Sequence, residues 1–69
     1  MSEILQHTED GVLTITFNRE ARKNSLNRAM YSQLAAIFRS AAEDKAVRVA
    51  VLQGAENIFT AGNDIADFL

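Results

Sequence analysis

The chain has 69 residues, 48% of them hydrophobic and 23% charged, with a net charge of −2, no cysteine and one histidine. This globular composition excludes wholesale disorder, and the near-balanced charge gives no general electrostatic reason to bind nucleic acid or an anionic membrane. At this length one small domain is the most that can form, with a core supplying only ~3–5 kcal/mol, and there is neither a disulfide nor a His/Cys/carboxylate cluster at metal-ligand spacing to staple it.

Partners or further sequence are therefore expected to complete it. No apolar run approaches the ~20 residues of a membrane span, and Met1-Ser2-Glu3-Ile4 lacks a basic leader. A cytoplasmic location, without membrane or nucleic-acid partners, is the expectation.

In chain order, Glu3 to Thr8 reads as a short strand, and Glu9-Asp10-Gly11 carries the Asp-Gly signal of a tight hairpin turn. Val12 to Asn18 answers it: Leu13, Ile15 and Phe17 alternate with Thr14 and Thr16, the period of a half-buried strand. Residues 19–25 are polar and aperiodic, a loop with three cations, Arg19, Arg22 and Lys23, in five positions.

A helix follows. Asn27 is a good N-cap, with Leu26 before it and Tyr31 available as a hydrophobic staple. Met30, Leu34, Ile37, Phe38 and Ala41 form its apolar stripe, and its end is expected near Asp44-Lys45. Val47 to Leu52 is an almost unbroken apolar run, typical of a strand covered on both faces.

A strand, helix, strand order over this length predicts parallel strands with a right-handed crossover. Ligands in parallel α/β sheets sit beyond the carboxyl ends of strands. Both special segments leave from that edge: the basic loop after Phe17, and the turn from Gly54 to Ile65, where glycines free the backbone before a short final helix. A helix N-terminus preceded by such a turn aims amide hydrogens at an anion, including a carbonyl oxygen becoming negative.

The ordered motifs Phe17-Asn18-Arg19, Asn24-Ser25-Leu26-Asn27, Val49-Ala50-Val51-Leu52, Gly54 and Phe59-Thr60-Ala61-Gly62-Asn63-Asp64-Ile65 resemble the start of the enoyl-CoA hydratase/isomerase, or crotonase, superfamily. The resemblance covers essentially the whole chain. It implies an α/β fold: the hairpin, helix, parallel strand and short helix that open a ClpP/crotonase ββα spiral. Residues 1–69 would then be an N-terminal fragment of a single crotonase-like domain whose remainder is absent, in a family that assembles as homotrimers or hexamers.

Roles follow from the resemblance, residue by residue. Asn63 matches the position whose backbone N–H is one of two donors to the thioester oxygen of an acyl-CoA, the second lying beyond Leu69. Ala61, Gly62, Asp64 and Ile65 match the same substrate-binding turn. Ala21, Arg22 and Lys23 match the loop that cradles the adenine and ribose-phosphate end of CoA, where two cations suit a polyanion. CoA enters as part of the substrate, and no separate cofactor or metal is expected.

The implied function is stabilisation of an enolate by a backbone oxyanion hole, in fatty acid or acyl-CoA metabolism, and the 69 residues alone are expected to be inactive. Hydratases, which are lyases, use two acid/base glutamates and isomerases typically one, all outside this chain. Glu20, Ser25 and Asn63 stand where many relatives have Pro, Ala and Ala, and none of these departures removes a backbone donor.

Plainer readings apply to single residues. Asp64 is expected to start a helix rather than carry protons, and Arg19 to be a solvated loop charge. His7 has no partner in sequence for a dyad, and Glu9, Asp10, Glu43 and Asp44 read as turn or helix-end acids. Two functions from other classes remain open: a non-catalytic acyl-CoA or nucleotide-binding module, and a self-associating structural fragment.

Overall fold

The computed structural model describes residues 3–55 and 57–68, so Met1 and Ser2 of the leader reading and Glu56 of the glycine-bounded turn lie outside it. Strand β1 (Ile4–Glu9) and strand β2 (Val12–Phe17) form an antiparallel hairpin. Asp10 and Gly11, both at positive φ of 53° and 82°, make the two-residue turn. Two positive φ values match the right-handed twist of the flanking strands, which is why Asp-Gly closes the hairpin.

Helix α1 (Arg28–Glu43) begins as expected: the Asn27 side chain accepts from the Met30 amide at 2.8 Å. Its Nδ2 donates to Glu3 Oε1 at 3.0 Å, tying the helix start to the foot of the hairpin. The expected staple takes another form. Leu26 packs against the core, while the Tyr31 hydroxyl reaches across to Asn63 Oδ1.

Strand β3 (Val49–Gly54) pairs with β2 in parallel, Phe17 opposite Gly54, giving the order β1-β2-β3. It starts two residues later than expected because 44–48 are used in a turn. There the Ala46 amide donates to Asp44 Oδ1, and the amides of Arg48 and Val49 both donate to the Gly11 carbonyl.

The core lies between one sheet face and α1. Ile4, Leu13, Ile15 and Phe17 pack against Met30, Leu34 and Ile37. Phe38 belongs to the predicted stripe but is 40% exposed, because at about 100° per residue it stands about 80° round the helix from Met30.

Strand β3 departs further from expectation. Val49, Val51 and Leu52 are all exposed, Val49 by 52%. The apolar run matches a strand covered on both faces, but β3 is an edge strand and the single long helix lies over β2 and β1. The radius of gyration is 12.5 Å, against about 11 Å for a compact domain of this length.

Candidate functional site

The two segments leaving the carboxyl edge run side by side. A 3-10 turn at Glu20–Arg22 compacts the basic loop, and Lys23 and Asn24 follow with φ of 56° and 57°. From there the loop pairs with the glycine-bounded turn: Ala61 N–H donates to the Lys23 carbonyl at 3.0 Å, Leu26 N–H to the Gly62 carbonyl at 2.8 Å, and Asp64 N–H to the Leu26 carbonyl at 2.8 Å. Leu26 and Asn63 thereby form a parallel bridge.

That bridge decides where the Asn63 amide points. In a trans, planar peptide the N–H lies opposite the preceding C=O. Since the Gly62 carbonyl faces Leu26, the Asn63 N–H faces away from Leu26. Gly62, at φ 92°, permits the reversal that a side chain would resist, even though nothing stands within 4 Å of a Cβ there.

Asn24 holds the two segments in register. It is 1% exposed. Its Oδ1 accepts from the Arg19 amide at 2.8 Å, and its Nδ2 donates to the Ile58 carbonyl at 2.7 Å and the Ala55 carbonyl at 3.3 Å. The Thr60 hydroxyl donates to the Asn24 carbonyl at 2.7 Å. A buried amide with these bonds made is a strong specifier of loop shape, and costly if any is lost. Its role was invisible among polar loop residues. The one local signal is that Asn tolerates the left-handed conformation better than most residues.

Arg19 corrects its expected role. It is not a solvated charge: the side chain is 16% exposed, with Nε at 3.0 Å from Glu3 Oε2 and Nη1 at 2.9 Å from Asp64 Oδ2. Nη1 also donates to the Ser25 carbonyl at 3.0 Å and to Ser25 Oγ at 3.3 Å. Of the three loop cations, Arg19 is turned inward, while Arg22 and Lys23 stay exposed beside Ala21.

Asp64 precedes helix α2 (Ile65–Phe68), and its Oδ1 accepts from the Ala66 amide at 3.1 Å, the helix-start role expected of it. Ile65 is 72% exposed, and Ala61 and Asn63 are exposed as well. Asp67 returns to α1, its carboxylate accepting from the Arg28 amide at 2.6 Å. The structure thus gathers Lys23, Ala61, Gly62, Asn63 and Asp64 into one paired edge, with Ala21 and Arg22 on the turn leading into it.

The Arg19 hydrogen bond holds the Asp64 carboxyl below the usual carboxylate range. Partial desolvation opposes this, and the Arg19 charge, the Asp67 main chain and Arg22 add to it. A lowered folded pKa means the pair contributes its stability above the unfolded carboxylate value and loses it as pH falls through the lowered folded value. A carbon-13 carboxyl titration of Asp64 is expected to show a midpoint below that of an unstructured aspartate. An ordinary midpoint would mean the bridge does not persist in solution.

Among the described residues no group of three or more His, Cys, Asp or Glu could hold a metal, and no helix is long and apolar enough to cross a membrane.

A hairpin, a covering helix, a parallel strand and a paired turn at the carboxyl edge together form an opening ββα unit of the crotonase fold. The chain belongs to the enoyl-CoA hydratase/isomerase family, whose family model matches residues 7–69. It is 43% identical over 67 residues to the 1,2-epoxyphenylacetyl-CoA isomerase of Escherichia coli K12, covering 97% of this chain and 26% of that protein. With human enoyl-CoA delta isomerase 2 it shares 34% identity over 61 residues, 88% of this chain and 15% of the relative.

Among solved structures, an enoyl-CoA hydratase/isomerase from Pseudoalteromonas atlantica T6c superposes with a TM-score of 0.94 at 35% identity, over 99% of this chain and 27% of that one. The enoyl-CoA hydratase of Mycobacterium tuberculosis H37Rv gives a TM-score of 0.92 at 31% identity, over 97% and 30%. The chain therefore spans about a quarter of the length of the E. coli relative.

Proposed function

We propose that this chain supplies one half of an acyl-CoA thioester site, with the Asn63 N–H as one donor to the thioester oxygen. The supporting observation is the Leu26–Asn63 bridge, which turns that N–H out of the paired edge. Arg22 and Lys23 on the facing loop are the cations suited to the phosphates of CoA, and Ala21, Ala61, Gly62, Asp64 and Ile65 border the same substrate.

The chemistry follows from the donor. As a proton leaves the carbon next to a thioester carbonyl, charge moves onto the carbonyl oxygen, and a fixed N–H in a dry site stabilises that enolate without reorganising. Main-chain donors keep this function through changes of side chain, which accommodates Asn at position 63. An enolate serves both hydration and double-bond migration, so the reading does not choose between them.

By this reading CoA arrives as part of the substrate with no separate cofactor, and the second donor and the acid/base glutamates come from beyond residues 1–69. The segment alone then binds without turnover. Fatty acid or acyl-CoA metabolism is the setting this function suits, and a cytoplasmic homotrimer or hexamer is the form we propose for it.

Nitrogen-15 NMR of the 69-residue chain tests the assignment by comparing acetyl-CoA with free CoA. Both are expected to shift the amides of Arg22 and Lys23, and the thioester alone is expected to shift Asn63. An Asn63 amide that ignores the acyl group would end the oxyanion assignment. Equal responses to the two ligands would favour a nucleotide-binding module instead.

A further inference from the structure

We propose that Arg19 is a positioning residue for the Asn63 amide, a role that rests on the thioester reading for its purpose but not for its test. The geometry points to it because one planar guanidinium joins three separate stretches of chain. Nε meets Glu3, just before β1, and Nη1 meets both Ser25 in the basic loop and Asp64 in the turn before α2.

The Asn63 peptide plane needs such an anchor. On one side stands Gly62, whose φ of 92° marks a backbone with little steric preference of its own. The bridge from Leu26 holds the plane by neutral hydrogen bonds between partly buried residues, each weaker than a charge-assisted one. On the other side stands Asp64, whose carboxylate is 11% exposed and fixed by Arg19. The same carboxylate caps α2 through Ala66. Holding Asp64 therefore limits rotation about the backbone bonds between Gly62 and α2, and with it the direction of the Asn63 N–H.

Arg rather than Lys suits this task, since a fixed fork can serve Glu3 and the Ser25–Asp64 pair at once, whereas an ammonium is a single flexible point charge. The Ser25 hydroxyl adds a contact that an alanine there would not make.

Residual dipolar couplings of the backbone N–H groups, measured on the ligand-free chain, report the direction and order of the Asn63 vector directly. Arg19→Met is expected to collapse the Asn63 and Asp64 couplings toward zero while those of Leu13, Ile15 and Phe17 in the sheet stay unchanged, and Arg19→Lys to restore them in part. Couplings at Asn63 that survive Arg19→Met would overturn the proposal.

If Arg19→Met does not fold, Asp64→Asn decides. It keeps the helix-start oxygen and removes the charge that Arg19 grips, so it is expected to disorder the Asn63 vector, and an unchanged vector overturns the proposal equally. Acetyl-CoA added to the wild type separates the two claims: an ordered Asn63 amide that ignores the thioester leaves the positioning role standing and removes the oxyanion reading.

Discussion

Replacing Asn63 by proline is expected to cost about 10²–10³ in kcat, the loss seen when one oxyanion donor is removed, while Asn63→Ala keeps most of the activity. A chimera provides the assay: this chain replaces the aligned segment of the E. coli isomerase, 43% identical over 67 residues, and the host supplies the rest of the site. Alanine removes the Asn63 side chain and its contact with the Tyr31 hydroxyl but leaves the N–H in place. Proline removes the N–H itself.

The bonds that hold this edge, Leu26 N–H to Gly62 and Asp64 N–H to Leu26, use neither the Asn63 N–H nor its carbonyl. A fall in kcat with a smaller change in KM would mark an interaction made mainly in the transition state. If alanine and proline behave alike, the donor is not the main chain and the assignment fails.

Gly54→Ala is expected to abolish cooperative thermal unfolding of the isolated chain. A Cβ at Gly54 would lie 2.0 Å from the Ile58 carbonyl oxygen and 2.5 Å from Phe59 Cα, both backbone atoms, so relief requires the whole turn to shift. That turn carries two carbonyls bonded by the buried Asn24 amide, and Phe59, whose ring centroid is 5.3 Å from that of Phe17.

Overpacking costs about 1–3 kcal/mol and a stranded buried donor about 1–3 kcal/mol more. Their sum rivals the ~3–5 kcal/mol that a core of this size supplies. Gly62→Ala makes the contrast. No atom lies within 4 Å there, so only the left-handed φ is penalised, by roughly 1–2 kcal/mol. Circular dichroism melts of the two variants distinguish a steric cause from a conformational one, and a Gly54→Ala chain that melts like the wild type would refute the close approach.

Much of the fold was legible because its signals are local. Alternation in Leu13-Thr14-Ile15-Thr16-Phe17, the Asp10-Gly11 turn and the Asn27 cap each depend on a few neighbouring residues, and each is found as expected. The apolar run from Val47 to Leu52 misled about burial because its composition suits a covered strand, while coverage depends on what lies against it. In this chain the single long helix covers the hairpin, and the edge strand stays open.

The two segments of the candidate site were legible in position and not in the contacts that hold them. Motif and order located the paired segments, and the structure places Lys23 against Ala61 and Leu26 against Gly62 and Asp64. Arg19 and Asn24 escaped because their partners are remote in sequence: Glu3 and Asp64 for the one, Ala55 and Ile58 for the other. A polar residue in a polar loop carries no sign of such a partner.

By itself, then, the order of residues determined the hairpin, the capped helix, the parallel return and the family to which they belong, since turn preference, side-chain period and connection length are properties of short stretches. Only the tertiary structure decided which loop cation turns inward and which way the Asn63 amide faces. Those are settled by hydrogen bonds and charges meeting across space, where a peptide plane beside a glycine has no direction of its own until the facing loop imposes one.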